Sequence, residues 1–189
     1  MTTPKLQHST SPILHSPNII LVGFMASGKS STGRYVAGKL GREFIDMDTE
    51  IERREGRSIP DIFAKEGEAH FRALERALVQ ELAARENLVI APGGGIVINP
   101  DNIRDFAACG LVINLRVSPE VVLARVGQDP HRPLLQGADP LQRIRDLMAR
   151  RKDLYGAIPH QLDTDGLTPE AVGDQVLELF RKWGTGVVG

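Results

Sequence analysis

Short apolar runs alternate along the chain with longer segments in which apolar residues recur every three or four positions. The runs are rich in Val, Ile and Leu, and they fall at about 18–22, 43–47, 88–91, 111–115 and, more weakly, 159–162. Continuous apolar runs of this length are typical of parallel strands that are covered on both faces. Strands interleaved with helices therefore predict a three-layer α/β fold, in which a five-stranded parallel sheet carries helices on both faces.

Helix starts are marked by residues that favour N-termini. Ser118 and Thr168 each precede a proline and an acidic residue, a combination that supplies a capping hydroxyl, a fixed φ and a charge that suits the helix dipole. The segments 58–61 and 49–52 resemble capping boxes. Because the sequence has no internal repeat, these elements predict a single domain over residues 18–189.

Composition narrows the class of protein. The net charge of -1 and the pI of about 6.5 give no basic field for nucleic acid, and no apolar run approaches the roughly 20 residues that span a bilayer. Residues 1–17 are polar and predict a disordered tail that resembles neither a signal peptide nor a transit peptide. The single cysteine, Cys109, indicates a core residue in a reducing compartment. We expect a cytoplasmic monomer without nucleic-acid or membrane partners.

A phosphate-binding loop is the most specific motif. Residues 23–30, GFMASGKS, match the pattern G-x-x-x-x-G-K-[ST] and lie between the first predicted strand and a predicted helix at 31–40. In that order, backbone N–H groups and the helix start can bind phosphates. Lys29 would reach the β- and γ-phosphates, and the Ser30 hydroxyl would bind Mg²⁺. An ordinary glycine-rich turn is the alternative, but the strand, loop and helix in register favour nucleotide binding.

Two carboxylates, Asp46 and Asp48, end the second predicted strand. Side chains alternate along a strand, so we expect both to lie on the same side, near the phosphate loop. Asp46 is the candidate for the outer shell of the metal, and Asp48 for accepting a hydrogen bond, and the proton, from a substrate hydroxyl. Alternatively, Asp48 only caps a helix that begins near Thr49.

Arg72 and the three glycines at 93–95 are further candidates. Arg72 lies beside the apolar stripe of a predicted helix at 67–85 and three residues before Glu75, so a surface ion pair is the alternative to a ligand contact. Gly93, Gly94 and Gly95 follow a buried strand directly. Three consecutive glycines favour the close approach of a ligand over a plain turn.

Two more arginines lie in the C-terminal half. Residues 127–140 are polar and rich in proline and glycine, which predicts a mobile lid, with Arg132 able to reach a transferring phosphoryl group; a solvated loop arginine is the alternative. Arg151 falls on the apolar face of a helix at 141–155, a face marked by Leu141, Ile144, Leu147, Met148, Leu154 and Tyr155. A guanidinium there needs either an internal carboxylate or an anionic substrate.

Taken in order, these residues resemble the shikimate kinase family of P-loop small-molecule kinases, which has the nucleoside-monophosphate-kinase-like fold. The resemblance runs from about Ile19 to the last helix. It rests on GFMASGKS, FIDMD, Phe71-Arg72 with Glu75, the triple glycine, RPLL and RRKDLY.

The resemblance implies ATP as phosphoryl donor, Mg²⁺ as cofactor and shikimate as acceptor. It implies catalytic roles for Lys29, Asp48 and Arg132, and metal contacts by Ser30 and Asp46. ATP would be bound by Gly23, Ala26, Ser27, Gly28, Lys29, Ser30, Ser31, Arg125 and Arg132. Arg125 would stack on the adenine. Shikimate would be held by Asp48, Arg72, Gly93, Gly94, Gly95 and Arg151, with the two arginines clamping its carboxylate.

The chain departs from the family pattern in a few positions. Ala26 stands where the family commonly has glycine, Ser31 where threonine is common, and Ala91-Pro92 where a small hydroxyl residue often helps to order a magnesium-bound water. No arginine near Leu167 is placed to contact adenine. Another small-metabolite kinase of the same fold, such as one acting on gluconate, and a nucleotide-binding module without turnover remain the alternative functions.

Overall fold

The structure is a computed structural model that describes residues 16–126 and 139–185. Five parallel strands form one sheet in the order β2-β3-β1-β4-β5, which confirms the predicted fold class. The strands are β1 Asn18–Gly23, β2 Glu43–Asp46, β3 Leu88–Ala91, β4 Gly110–Arg116 and β5 His160–Asp163.

Helices cover both faces of this sheet. They are α1 Lys29–Leu40, α2 Met47–Glu55, α3 Ile59–Ala83, α4 Pro100–Cys109, α5 Pro119–Val126, α6 Pro140–Gly156 and α7 Pro169–Gly184, with a 3-10 turn at Ile96–Ile98. Among the described residues no helix is long and apolar enough to cross a membrane.

Strand β1 is buried on both sides, which explains its unbroken apolar run. Ile20 and Val22 pack into a core that includes residues of α2 to α6, whereas Ile19 and Leu21 pack into a second core with α1 and α7. All four side chains are fully buried. The central position of β1 places the loop that follows it in the middle of the sheet's carboxyl edge.

Most predicted helix starts are confirmed. Ser58 Oγ accepts a hydrogen bond from Asp61 N at 3.3 Å, and Thr168 Oγ1 accepts one from Ala171 N at 3.2 Å. The helix predicted from residue 67 is the second part of α3, whose backbone leaves helical geometry at Gly67 with φ at 81°. A glycine tolerates this left-handed conformation without the steric cost of a Cβ.

The prediction that the second strand continues to residue 47 and that a helix begins near Thr49 was wrong. Strand β2 ends at Asp46, and α2 begins at Met47, so the capping residue is Asp46 and not Thr49 or Asp48. Oδ1 of Asp46 accepts a hydrogen bond from Thr49 N at 3.4 Å. Asp48 therefore lies in the first turn of a helix, where strand alternation does not apply. Met47 is fully buried, which anchors this early helix start in the core.

The predicted apolar face of α6 was too wide. Ile144 and Tyr155 are buried, but Leu154 is 40% exposed because it lies on the other side of the helix. Arg151 is half-buried at the edge of the face. Cys109, at the end of α4, is only partly buried, and it packs against the first core.

The predicted tail, the predicted lid and the C-terminal end of the predicted domain are described only in part. Of the predicted tail, Ser16 and Pro17 are described, and their carbonyl oxygens accept hydrogen bonds from Asn87 N at 2.8 Å and Arg42 Nη1 at 2.7 Å. Most of the predicted lid, including Arg132, lies outside the described residues.

Candidate active site

A cleft lies at the carboxyl ends of β1, β2 and β3, where ligands bind in open α/β sheets. Its cavity of about 540 Å³ is lined by the phosphate loop together with Asp46, Asp48, Pro92, Gly94, Arg125, Thr164, Leu167 and Pro169. The structure thus brings the phosphate loop, both aspartates and the middle residue of the triple glycine into a single site.

The phosphate loop is shaped by backbone that favours glycine. Gly23 and Gly28 have φ angles of 152° and 92°, and a Cβ at Gly23 would lie 2.6 Å from Leu115 O. Ala26 adopts a left-handed φ of 59° although it carries a Cβ. Nζ of Lys29 donates hydrogen bonds to the carbonyl oxygens of Gly23 and Phe24, both at 2.9 Å, and so closes the loop.

The start of α1 suits an anion. The helix begins at Lys29, directly after the loop, and its first turn contains no acidic residue. The N–H groups at the start of the helix and the helix dipole therefore act on the cleft without a competing carboxylate in that turn. Ser27 Oγ is buried and makes no hydrogen bond within the described residues, while the exposed Ser31 lines the cavity.

The oxygen atoms near Ser30 fit a hard divalent cation. Ser30 Oγ donates a hydrogen bond to Oδ2 of Asp46 at 2.5 Å, and the Asp48 carboxylate lines the same cavity. Hydroxyl and carboxylate oxygens are the donors that Mg²⁺ prefers. Pro92, directly after β3, adds neither a hydroxyl nor an N–H, so Asp46 would carry more of the outer shell of such a cation.

Asp48 is a half-buried acid in the same cavity as Ser30 and Asp46, and it also lies against the triple glycine. Burial, followed by repulsion from Asp46, raises the pKa of Asp48 above its ordinary value, and the nearby Lys29 opposes this shift. A Cβ at Gly93 would lie 2.5 Å from Oδ1 of Asp48. Glycine at position 93 thus makes room for the carboxylate.

Arg72 is held by a buried acid and is not the surface ion pair that was the alternative. Its Nη1 lies 3.0 Å from Oε2 of Glu75, whose side chain is only 2% exposed, and a second bond reaches the exposed Glu68. A Cβ at Gly95 would lie 2.5 Å from the Arg72 guanidinium. The ion pair therefore orients the guanidinium towards the triple glycine.

Arg151 reaches the same loop from α6. Its Nη1 donates a hydrogen bond to Gly94 O at 2.9 Å, and among the described residues it makes no ion pair within 4.0 Å. Burial raises the pKa of Glu75, and the charges of Arg72 and, more weakly, Arg151 oppose the shift. Two guanidinium groups thus lie near one buried carboxyl. Glu75 pairs with Arg72, whereas Arg151 bonds to a backbone oxygen of the triple glycine.

The far end of the cleft is formed by Arg125 and the residues after β5. Nη1 of Arg125 donates a hydrogen bond to Ala26 O at 2.7 Å. Sequence reasoning missed Thr32, Thr164, Pro169 and Val172, which also line the cavity. The signal available for the last three was their position after the weakest predicted strand, at the same edge of the sheet.

The fold and the site define a P-loop kinase that acts on a small molecule. The family model of shikimate kinase matches residues 25–181. The chain belongs to the shikimate kinase family, as its sequence indicated.

Individual relatives agree with this assignment. The chain is 41% identical to the shikimate kinase of Pelotomaculum thermopropionicum, over 87% of this chain and 96% of that protein. It is 43% identical to the shikimate kinase of Acinetobacter baylyi, over 89% and 94%. A solved shikimate kinase from Acinetobacter baumannii in complex with shikimate has a TM-score of 0.83 and 41% identity, covering 88% of this chain and 93% of that one.

A more distant match concerns the alternative substrate. A gluconokinase from Sinorhizobium meliloti has a TM-score of 0.58 at 16% identity, over 92% of this chain and 99% of that one. At that identity the likeness shows a common fold alone.

Proposed function

We propose that this chain transfers the γ-phosphoryl group of ATP to the 3-hydroxyl of shikimate and produces shikimate 3-phosphate, on the pathway to chorismate and the aromatic amino acids. The observation that carries the proposal is the arrangement around the triple glycine. Two guanidinium groups, of Arg72 and Arg151, share this loop with the Asp48 carboxylate. Guanidinium groups can bind a carboxylate, and an aspartate beside them can accept a hydrogen bond from a hydroxyl. The arrangement therefore fits a hydroxy acid such as shikimate.

The phosphate loop supports ATP as the donor. Its backbone N–H groups and the start of α1 would bind the phosphates, and Lys29 would move from loop carbonyls to the β- and γ-phosphates. Arg125 would pack on adenine, and the fact that it lines the same cavity as Leu167 and Pro169 supports this role. A role for Arg132 over the phosphates stays a prediction from the sequence.

The oxygens of Ser30 and Asp46 would hold Mg²⁺, the Ser30 hydroxyl as a ligand and Asp46 in its outer shell. When bound, the ion neutralises charge on the phosphate oxygens. The hydrogen bond between the two side chains keeps both oxygens at one place before the ion binds.

Asp48 would orient the 3-hydroxyl and accept its proton. A carboxylate whose pKa is raised by burial is a stronger base than an ordinary aspartate. The hydroxyl oxygen would then attack the γ-phosphorus while the bond from that phosphorus to the β,γ-bridging oxygen breaks, so ADP leaves with the bridging oxygen and the proton goes to the carboxylate. Most of the catalysis rests on position and on charge neutralisation.

The proposal also includes a monomer that works in the cytoplasm, where ATP is available. All of the residues proposed for the site come from one chain, so the site needs no second copy. The net charge of -1 supports small-molecule substrates and not nucleic acid.

Coupled ADP release tests the proposed function. The enzyme is incubated with Mg·ATP and shikimate, gluconate or no acceptor, with Lys29→Met as the inactive control. We expect fast ADP release with shikimate, and only background rates with gluconate, without an acceptor, and in the control. Gluconate dependence would indicate a different metabolite kinase, and no acceptor dependence would indicate a nucleotide-binding module.

A further inference from the structure

Among the residues that the structure describes, one carbonyl oxygen in the triple glycine accepts hydrogen bonds from side chains alone. The neighbouring carbonyl oxygens, of Gly93 and Gly95, accept hydrogen bonds from Ile96 N at 3.1 Å and Ile98 N at 3.0 Å. Gly94 O instead accepts from two side chains of α6, Arg151 Nη1 at 2.9 Å and Tyr155 Oη at 2.5 Å. The middle of the loop therefore takes its position from α6.

These two donors are not equivalent. Arg151 is half-buried and, by the proposed function, turns part of its guanidinium towards the substrate carboxylate. Tyr155 is only 9% exposed, packs in the first core, and lies one helical turn after Arg151. Burial raises the pKa of Tyr155 to about 12, so its hydroxyl stays protonated and remains a donor at physiological pH. Tyr155 is thus the fixed donor and Arg151 the shared one.

We infer that Tyr155 is a positioning residue for the acceptor, acting through the Gly94 oxygen that it shares with Arg151. This inference rests on the proposed function. Glycines have no side chains that could hold the loop in place. Gly94 lies between Gly93, which faces Asp48, and Gly95, which faces Arg72. The Tyr155 hydroxyl keeps the middle of that loop in place when the substrate engages Arg151, and it does so without touching the substrate.

The chain offers a matched control, because it contains two tyrosines. Tyr35 Oη donates a hydrogen bond to Asp174 Oδ1 at 2.8 Å, between α1 and α7 on the other face of the sheet. Tyr155→Phe and Tyr35→Phe each remove one hydroxyl and keep the ring. Only the first removes a bond to the triple glycine.

Steady-state kinetics of the two variants test the inference. For Tyr155→Phe we expect the KM for shikimate to rise about five- to tenfold, the size of one lost hydrogen bond, with kcat within about twofold and the KM for ATP unchanged. Tyr35→Phe should match wild type in all three constants. In an Arg151→Lys background, Tyr155→Phe should raise the KM for shikimate by a larger factor than in wild type, because the shared oxygen has already lost its guanidinium and Tyr155 is its remaining donor among the described residues.

Several results would overturn this assignment. One is a shikimate KM for Tyr155→Phe equal to that of Tyr35→Phe, whether or not its melting temperature falls. Others are a lower kcat at unchanged KM, fully additive effects with Arg151→Lys, and a variant that does not fold, since each gives the hydroxyl a role other than positioning the acceptor. If wild type and Tyr35→Phe release no ADP with shikimate, the proposed function itself fails, and the inference fails with it.

Discussion

Oδ1 of Asp48 lies 2.5 Å from the point that a Cβ atom would occupy at position 93. Real Cβ atoms do not approach an oxygen so closely, so any side chain at this position must displace the carboxylate. The first glycine of the triple and the proposed base are therefore one structural unit.

Gly93→Ala should displace Asp48 and lower turnover. A shift of about 1 Å at a reacting group costs on the order of 100-fold, so we expect kcat to fall by about that factor while affinity for ADP is kept. Gly38→Ala is the control, since a Cβ there meets nothing within 4 Å on the exposed side of α1. It should keep full activity and add about 1 kcal/mol of stability. Normal turnover in Gly93→Ala would separate Asp48 from the chemistry.

Asp48→Asn should lower turnover by about 10²–10⁴-fold, because the amide cannot accept the proton. More than a tenth of wild-type turnover would contradict the role as base. Nucleotide affinity, measured by calorimetry with Mg·ADP, should stay close to that of wild type.

The same variant should be more stable than wild type at neutral pH. Burial and then Asp46 raise the pKa of Asp48 above the ordinary value of 3.8 in the folded state, so the folded protein binds this proton more tightly than the unfolded chain. The stability that this proton contributes is complete below pH 3.8, the ordinary pKa, and is lost as the pH rises through the pKa of the folded state. Denaturant unfolding should give a difference in favour of Asn that grows from acid to neutral pH. A difference that shrinks over this range would show that the shift has the opposite sign.

Much of the fold followed from the sequence, because burial on both faces leaves a clear signal. The four strong apolar runs all became strands, and the phosphate loop stood where strand and helix required it. The order of the strands was not predicted, since spacing along the chain does not determine which strands pair. The start of α2 was also missed, because a strand that passes into a helix at Asp46 leaves no turn residue between them.

The site residues that belong to a contiguous motif could be predicted from the sequence. Residues whose partners come from distant segments of the chain were harder to predict. Lys29 and Ser30 belong to a contiguous motif. The alternatives for Arg72 stayed open because its i+3 acid, Glu75, has the same spacing whether the pair is exposed or buried. The bond from Tyr155 to Gly94 joins residues 61 positions apart, which no local pattern indicates.

Arg151→Met tests the proposed carboxylate clamp. The methionine keeps apolar packing and removes the charge, so the protein without ligand should be as stable as wild type or more stable. Saturating shikimate should raise the melting temperature of wild type, and this shift should largely vanish in the variant, while the shift caused by Mg·ADP is kept. Arg150→Met, at the exposed neighbouring position, should respond to both ligands as wild type does. Strong destabilisation with a normal shikimate response would make Arg151 a structural residue.

Ala26→Gly should stabilise the phosphate loop. Ala26 has a φ of 59°, a left-handed conformation that costs a residue with a Cβ about 1–2 kcal/mol. Glycine removes that cost but gains entropy in the unfolded chain, so we expect a net gain of about 0.5–1 kcal/mol in the free energy of unfolding. Ala149→Gly, on the exposed side of α6, should instead lose about 1 kcal/mol. The same sign for both variants would contradict a strained Ala26.

The most direct test of the central claim is the identity of the product. Wild type is incubated with Mg·ATP and shikimate, and phosphorus-31 NMR follows the reaction, with Lys29→Met as the control. The account predicts one new phosphate monoester, formed in equal amount to ADP, whose phosphorus couples to the proton on carbon 3 of shikimate, and no such signal in the control. A monoester at another hydroxyl, or ADP released with free phosphate alone, would contradict it.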